Sequence, residues 1–109
     1  DDSYSFTKSI ISENFERPCV FYPDDYSALG GVRAVLESSL RCPEDFGIVG
    51  CDGSRVLQKF TPRLTTVRQD SYEIGKAAAL TLIERINDPK TKKGITVIPA
   101  ELLIGETCL

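Results

Sequence analysis

The sequence predicts an α/β domain built around a parallel sheet. Two short apolar runs, CVFYP at residues 19–23 and FGIVG at 46–50, are continuous rather than alternating, which is typical of buried strands covered on both faces. The segment between them, residues 26–40, has the apolar spacing of an amphipathic helix, with Arg33 and Glu37 as an ion pair on its outer face. Strand, helix and strand in this order predict a βαβ unit with a right-handed crossover.

The segments on either side of this unit follow from the same kind of pattern. Residues 3–16 carry apolar side chains near helical spacing and predict a helix that ends before Pro18. Residues 54–63 predict irregular chain with one helical turn. The β-branched run at 64–69 predicts a third strand.

A long helix and an extended segment complete the prediction. Apolar side chains recur every four positions in residues 71–87, and Asp70 is placed to cap this helix with Glu73 as its partner. A polar loop at 89–94 then leads to an extended segment at 95–108.

Length, composition and charge limit the function classes. A chain of 109 residues forms one domain at most, and its 41% hydrophobic and 27% charged residues are ordinary for a globular protein. The net charge of −3 offers no basic surface for nucleic acid, and no apolar run reaches the roughly 18 residues of a membrane span. We therefore expect no direct contact with nucleic acid or membrane. Because the chain lacks Met, we interpret it as a fragment of a longer protein.

The residue types needed for most catalytic and metal sites are missing. Cys19, Cys42, Cys51 and Cys108 are widely spaced, which predicts buried or half-buried thiols in a reducing compartment, the cytoplasm, rather than disulfides or a zinc site. The chain contains no His, so Ser-His-Asp and Cys-His arrangements cannot form within it. It also lacks the glycine-rich phosphate-binding motifs. The sequence therefore predicts binding rather than catalysis, without a metal or cofactor.

Acidic residues follow both predicted strands at the point where each strand ends. Asp24 and Asp25 follow the first strand, and Cys51 and Asp52 follow the second. The carboxyl ends of neighbouring parallel strands meet at one edge of a sheet, where ligands of such folds bind. A carboxylate there can accept hydrogen bonds from vicinal hydroxyls, as in a sugar or another polyol. Two structural alternatives stay open: Asp25 as the N-cap of the next helix, and Asp52 in an Asx turn with Gly53.

Three long stretches together resemble one family. The stretches YPDDYSALGGVRAVLESSLRCPEDFGIVGCDG, FTPRLTTVRQDSYEIGKAAALTLIERI and IPAELLIGETC, in this order and spacing, resemble the carboxy-terminal part of the LacI/GalR family of bacterial transcription regulators. The resemblance runs from about Phe6 to Cys108. It implies a truncated, parallel-sheet half of a periplasmic-binding-protein-like (type I) fold, whose complete form closes on a small effector, a sugar or a nucleobase. In that family operator DNA is read by an amino-terminal helix-turn-helix, which lies outside this chain.

The resemblance also implies roles for individual residues. Asp24, Asp52 and Gln69 fall on positions that contact the effector. Asp24 stands where the family often has Asn, and Cys51 where it usually has an aromatic residue. An acid in place of an amide removes two donors, which favours a ligand rich in hydroxyls or amines.

The family's subunit organisation gives further expectations. Leu29, Leu57 and Phe60 fall in regions that form a dimer face. Residues 1–69 correspond to the carboxy-terminal subdomain, 70–94 to a helix that normally packs on the absent amino-terminal subdomain, and 95–109 to terminal strands. We therefore expect a homodimer or an oligomer that exchanges this helix between copies.

Two other functions compete with a ligand-sensing repressor. The first is half of a periplasmic sugar-binding protein, which shares the fold and the pocket positions. The second is an enzyme subdomain that uses Asp24 and Asp25 as an acid–base pair. Carboxylates adjacent in sequence tend to point apart and no nucleophile accompanies these two, so the repressor is favoured over the enzyme.

Overall fold

The computed structural model describes residues 2–91 and 94–108. Its four strands form one sheet in the order β1-β2-β3-β4, in which β1, β2 and β3 are parallel and β4 is antiparallel to β3. The predicted α/β class with a mainly parallel sheet is confirmed. The elements are α1 (Asp2–Ser12), β1 (Cys19–Phe21), α2 (Asp25–Leu36), β2 (Gly47–Asp52), a 3₁₀ turn (Leu57–Lys59), β3 (Thr65–Arg68), α3 (Ser71–Asn87) and β4 (Glu101–Leu103).

The chain divides into two compact units. The first unit comprises Asp1–Arg68 and Glu101–Leu109, and the second comprises Gln69–Ala100. The sheet, α1 and α2 belong to the first unit, and the second contains α3 and the described residues after it up to Ala100, which form no helix or strand. The segment predicted as terminal strands is shared, because residues 95–100 belong to the second unit and β4 to the first.

The core of the first unit lies between α2 and the sheet. The apolar face of α2 follows the predicted helical spacing, and α1 adds Ile10 and Ile11 at the margin of the core. A buried hydroxyl pair, Thr7 with Tyr22, joins α1 to the end of β1 by a hydrogen bond. The buried apolar side chains of the core cluster are Tyr22, Ala28, Val32, Val35, Phe46, Ile48 and Leu64.

Two predictions for this unit need correction. The run at 19–23 contains the strand β1, but β1 lies at the edge of the sheet and Phe21 is 60% exposed, so the prediction of a strand covered on both faces is wrong. The helix predicted over 26–40 ends at Leu36, and Val35 rather than Leu36 points into the core. The predicted pair of Arg33 and Glu37 is present at 2.8 Å.

The cysteines are less uniform than predicted. All four are in the thiol form, and Cys42, Cys51 and Cys108 are half-buried as expected. Cys19 is exposed, because it begins the edge strand β1.

The second unit is built on α3, whose bounds match the prediction. The Asp70 carboxylate accepts a hydrogen bond from the Glu73 amide at 3.1 Å, as the capping pattern indicates. None of the 17 residues of Ser71–Asn87, all of them in the described part of the chain, is buried. Over residues 2–91 and 94–108, every helix is too short or too polar to cross a bilayer.

Candidate functional site

The ends of β1 and β2 lie at the same edge of the sheet, which we call the carboxyl edge. The two strands are parallel neighbours, with Phe21 in register with Val49, and the Tyr22 amide continues the ladder by donating to the Val49 carbonyl at 2.8 Å. Asp24 therefore follows β1, and Asp52 ends β2, at one edge. The predicted arrangement of the two strand ends is confirmed.

Asp25, rather than Asp24, turns into the protein at this edge. Its side chain is 1% exposed, and its two oxygens accept hydrogen bonds from the Thr66 hydroxyl at 2.5 Å and the Ser54 amide at 2.6 Å. The carboxylate also lies in the first turn of α2, where the helix dipole favours negative charge. One buried carboxylate thus links three elements, which are α2, β3 and the loop that follows β2. The alternative that Asp25 is the N-cap is wrong, because Asp24 occupies that position.

The glycines of the IVGCDG stretch make this arrangement sterically possible. A Cβ at Gly50 would lie 2.5 Å from the Asp25 carboxylate and 2.9 Å from Leu64, so only glycine admits the carboxylate beneath β2. Gly53 has a φ of +68°, and a Cβ there would lie 2.5 Å from the side chain of Arg68. Asp52, at the end of β2, therefore lies in a turn whose conformation is set by the buried Asp25 carboxylate.

Asp24 caps α2 with both of its oxygens. They accept hydrogen bonds from the Ser27 amide at 2.7 Å and the Ser27 hydroxyl at 2.8 Å. These bonds, the one from the amide first, lower the pKa of the Asp24 carboxyl below its usual value. Each carboxylate oxygen has a second acceptor site, so the cap holds the group ionised and oriented while leaving it able to accept from a ligand.

Asp52 stands at the exposed end of β2 with a strained backbone. Its φ is +103°, a region that side chains other than glycine rarely adopt and that costs of order 1–3 kcal/mol. An Asx turn at this residue would use the Ser54 amide, which donates to Asp25 instead. The amide of Gly53 donates to the Thr66 hydroxyl at 3.3 Å. The turn that presents Asp52 is therefore held by the buried network around Asp25.

The other predicted site residues are spread over both units. Gln69 is the first residue of the second unit, and its carbonyl accepts from the Ser71 amide at 3.0 Å. Leu29 is partly buried and Phe60 is 53% exposed, so both have surface available to a partner. Leu57 is 2% exposed, because it is on the inner side of the 3₁₀ turn. Its side chain has no surface to offer a second subunit, and it is dropped from the predicted dimer face.

Sequence reasoning missed the residues that hold this edge together. Thr66 is fully buried and both donates to Asp25 and accepts from Gly53. The TT pair at residues 65–66 predicts only a strand, because threonine is β-branched. The available signal was that one of two successive strand residues faces the core, where a hydroxyl needs a polar partner. Within residues 2–91 and 94–108, no three His, Cys, Asp or Glu side chains are grouped so that they could hold a metal.

Sequence comparison places the chain among known proteins. Residues 3–108 match the model of the periplasmic binding protein-like domain. The chain is 33% identical over 107 residues to the HTH-type transcriptional repressor PurR of Pasteurella multocida, covering 98% of this chain and 32% of that protein. It is 37% identical over 98 residues to the PurR repressor of Vibrio atlanticus, covering 89% and 29%. The chain thus spans about a third of the length of these relatives.

Solved structures give the same result. The lac repressor dimer bound to operator and the anti-inducer ONPF superimposes with a TM-score of 0.87 at 28% identity, covering 98% of this chain and 37% of that one. A LacI family regulator of Enterococcus faecium with bound ribose gives 0.85 at 26% identity, covering 97% and 39%. With the sheet order and the family match over nearly all of its length, the chain belongs to the periplasmic binding protein-like domain family, as part of a LacI/GalR-family effector-binding domain.

Proposed function

We propose that this chain is the ligand-sensing and dimerising part of a cytoplasmic transcriptional repressor that binds a small sugar-like effector without chemical turnover. The relatives that share this region are named as HTH-type repressors. In this proposal operator DNA is contacted only through a helix-turn-helix outside these 109 residues. The chain contributes the effector response.

The observation that carries the ligand site is the backbone of Asp52. A non-glycine residue at a φ of +103° persists only where its surroundings impose it, and such residues concentrate at ligand sites. Here the surroundings are the bonds from Ser54 to Asp25 and from Gly53 to Thr66, which fix the turn after β2. The fold therefore holds an exposed carboxylate in a strained conformation at the edge where ligands of open α/β sheets bind.

The chemistry of this edge favours a polyol. Asp24 and Asp52 are acceptors, and ionised carboxylates form the stronger class of hydrogen bond with hydroxyl donors. Structurally similar regulators have been solved with ribose and with cellobiose. We assign Asp24 and Asp52 to ligand hydroxyls, and we add Gln69 on the family resemblance alone.

The second unit has an exposed apolar face that is suited to packing against a further subdomain. Its α3 and the following chain line a groove of about 690 Å³. The groove walls are mostly apolar and include Ile74, Ala78 and Leu82 from the helix and Val97 from the chain after it. Other large apolar side chains of this unit, such as Ile86 and Ile95, are also exposed. We propose that this face packs on the amino-terminal subdomain of the complete protein and that, without it, copies of the chain associate or exchange α3.

The dimer proposal rests on a smaller surface. Leu29 on α2 and Phe60 after the 3₁₀ turn keep exposed apolar area, and both fall in regions that the family resemblance assigns to the subunit interface. Leu57 supports this surface from the inside by fixing the turn that carries Phe60.

Ligand binding is tested on the complete regulator that contains this chain. A panel of monosaccharides, disaccharides and free nucleobases is screened by thermal shift. At a ligand concentration of about 100 Kd, binding stabilises the folded state by about 2.7 kcal/mol and should raise Tm by roughly 5 °C. We expect a sugar to give this shift and to change operator affinity, measured by fluorescence anisotropy, by about 5- to 150-fold.

A matched pair of charge-neutralising variants locates the site. Asp52→Asn should weaken the sugar's affinity by about 10- to 100-fold, because it removes a hydrogen bond to a charged acceptor. Glu44→Gln changes a residue in the turn that precedes β2, at the end of the strand opposite to Asp52. It should leave the affinity for the sugar unchanged. Wild-type affinity in the Asp52→Asn protein would exclude this residue from the site, and a response to nucleobases alone would exclude the sugar class.

A further inference from the structure

A cluster of thiols lies at the end of the sheet opposite to the carboxyl edge. Cys19 begins β1 in register with Gly47, the first residue of β2. The Cys19 and Cys108 sulfurs are 3.9 Å apart, although the two residues are 89 positions apart in sequence. The Cys42 thiol is nearby and donates to the Thr107 carbonyl at 3.7 Å.

The backbone around both of the closest thiols is fixed. The Cys19 side chain lies over Gly47, where a Cβ would come within 2.9 Å of the sulfur, so the glycine makes room for the thiol. Next to Cys108, the fully buried Thr107 accepts from the Ile48 amide at 2.6 Å through its carbonyl. The Thr107 hydroxyl also donates to the Ile48 carbonyl at 2.7 Å and accepts from the Thr65 amide at 2.9 Å.

We propose that Cys19 and Cys108 are an oxidisable dithiol whose disulfide joins the chain after β4 to β1. The sulfurs must approach from 3.9 Å to about 2.05 Å, a change that side-chain rotation with a small backbone shift can supply. Cys19 is exposed, so it is the thiol that an oxidant reaches first. Gly47 beneath it and Thr107 beside its partner keep the two sulfurs in contact before the reaction.

The oxidant that balances the reaction is a hydroperoxide. The Cys19 thiolate attacks one peroxide oxygen of hydrogen peroxide, the O–O bond breaks, and the departing hydroxide takes a proton to become water. The resulting sulfenic acid is attacked by the Cys108 thiolate, the S–O bond breaks, and a second water leaves. Two thiols lose two electrons and two protons, and one peroxide becomes two waters.

The pKa shifts determine how the oxidation depends on pH. Partial burial, and then the neighbouring Cys108, raise the pKa of the Cys19 thiol. Burial raises the pKa of Cys42 to about 11, which keeps it protonated and poorly reactive. Oxidation of the pair should therefore become faster as the pH rises from about 7 to about 9, because the thiolate is the nucleophile.

The disulfide should stabilise the fold. A cross-link that closes a loop of about 90 residues removes much conformational entropy from the unfolded chain. For a chain of this size we expect Tm to rise by on the order of 10 °C on oxidation and to return on reduction.

The experiment uses the full 109-residue chain, oxidised with hydrogen peroxide, alkylated and digested with trypsin without reduction. Cleavage after Arg33 and Arg55 places the cysteines on three peptides. One contains Cys19, one contains both Cys42 and Cys51, and one contains Cys108. Mass spectrometry should find the Cys19 and Cys108 peptides joined, and the chain lighter by two hydrogen atoms. Alkylation should then label two thiols instead of four.

Single variants provide the controls. Cys19→Ser and Cys108→Ser should each abolish the cross-link and the rise in Tm, whereas Cys51→Ser and Cys42→Ser should keep both. A Cys19 that is still alkylated after peroxide treatment, a cross-link through Cys42, or a disulfide only between two chains would each overturn the proposal. The peptide map of the unmodified chain decides the question even if a variant fails to fold.

Discussion

The helices α2 and α3 are equally well specified in sequence and differ completely in burial. Both α2 and α3 carry an apolar face, and each is preceded by an N-cap aspartate that accepts a hydrogen bond from the backbone amide three residues later. Seven of the 12 residues of Asp25–Leu36 are buried, whereas none of the 17 in Ser71–Asn87, a fully described helix, is buried. Local pattern therefore determines that a helix forms and which face is apolar, and the neighbouring chain determines whether that face is covered.

The largest expected difference concerns the first helical residue. Asp25 in α2 accepts two hydrogen bonds in the interior, and Asp25→Ala leaves the Thr66 hydroxyl and the Ser54 amide without their acceptor. We expect a loss of about 3 to 5 kcal/mol in the free energy of unfolding, measured by urea denaturation. The matched variant Ser71→Ala, at the same position of α3, should change it by less than about 0.5 kcal/mol.

This prediction has a defined point of failure. If Asp25→Ala costs under about 1 kcal/mol, the carboxylate is not the junction between α2, β2 and β3. Because Asp25 supports the turn that presents Asp52, a variant that folds should also show faster amide exchange at Gly53 and Ser54.

A smaller difference is expected at the apolar faces. Val35 is 0% exposed, and Val35→Ala removes two buried carbon atoms and leaves a cavity, for a loss of about 2 kcal/mol. Ile83 is 53% exposed on α3, and Ile83→Ala should change the stability of the isolated chain by less than about 0.5 kcal/mol when the protein is dilute enough to be monomeric. Urea denaturation measures both.

The same variant should behave differently in a longer protein. If the face of α3 is covered by a further subdomain, Ile83→Ala should cost about 2 kcal/mol or more in the complete regulator. An equal and small effect in both chains would mean that this face stays exposed.

Local sequence patterns were sufficient to predict most elements of the fold. The strands, the helices and the parallel arrangement followed from continuous apolar runs, helical spacing and the Asp70 cap, all of which are local patterns. The edge position of β1 did not follow, because the CVF run has the same composition as a central strand, and only the strand order decides its exposure.

The site was predictable in outline and not in its assignment of roles. Parallel strand ends place Asp24 and Asp52 at one edge, and this followed from topology. The sequence could not predict which of the two adjacent acids turns inward. That choice depends on the space that Gly50 leaves on β2 and on the Thr66 hydroxyl on β3, and both lie far from the two acids in sequence. Likewise, the contact between Cys19 and Cys108 joins residues almost a full chain length apart.

The smallest expected effects come from the helix caps. Removing a cap should cost both helices a similar amount of stability, but the loss should affect a larger part of the structure in α2 than in α3. Asp24→Ala and Asp70→Ala each remove one capping acceptor, which costs about 1 kcal/mol of helix stability. In α2 this loss should appear in the unfolding of the first unit, because the helix is part of its core. In α3 it should appear as faster amide exchange confined to the first turn of that helix.

Acid titration measures the α2 cap together with the ion pair of Asp45 and Arg41. The Ser27 hydrogen bonds lower the pKa of Asp24, and the Arg41 guanidinium, with the Arg41 amide, lowers the pKa of Asp45 to about 2. A carboxyl with a depressed folded-state pKa adds stability that is complete above its unfolded pKa of about 4 and is lost as the pH falls through the folded value. The urea midpoint should therefore fall between about pH 4 and pH 2. In Asp24→Asn combined with Asp45→Asn this fall should be shallower, because both linked protons are removed; an unchanged slope would show that other carboxyls control acid unfolding.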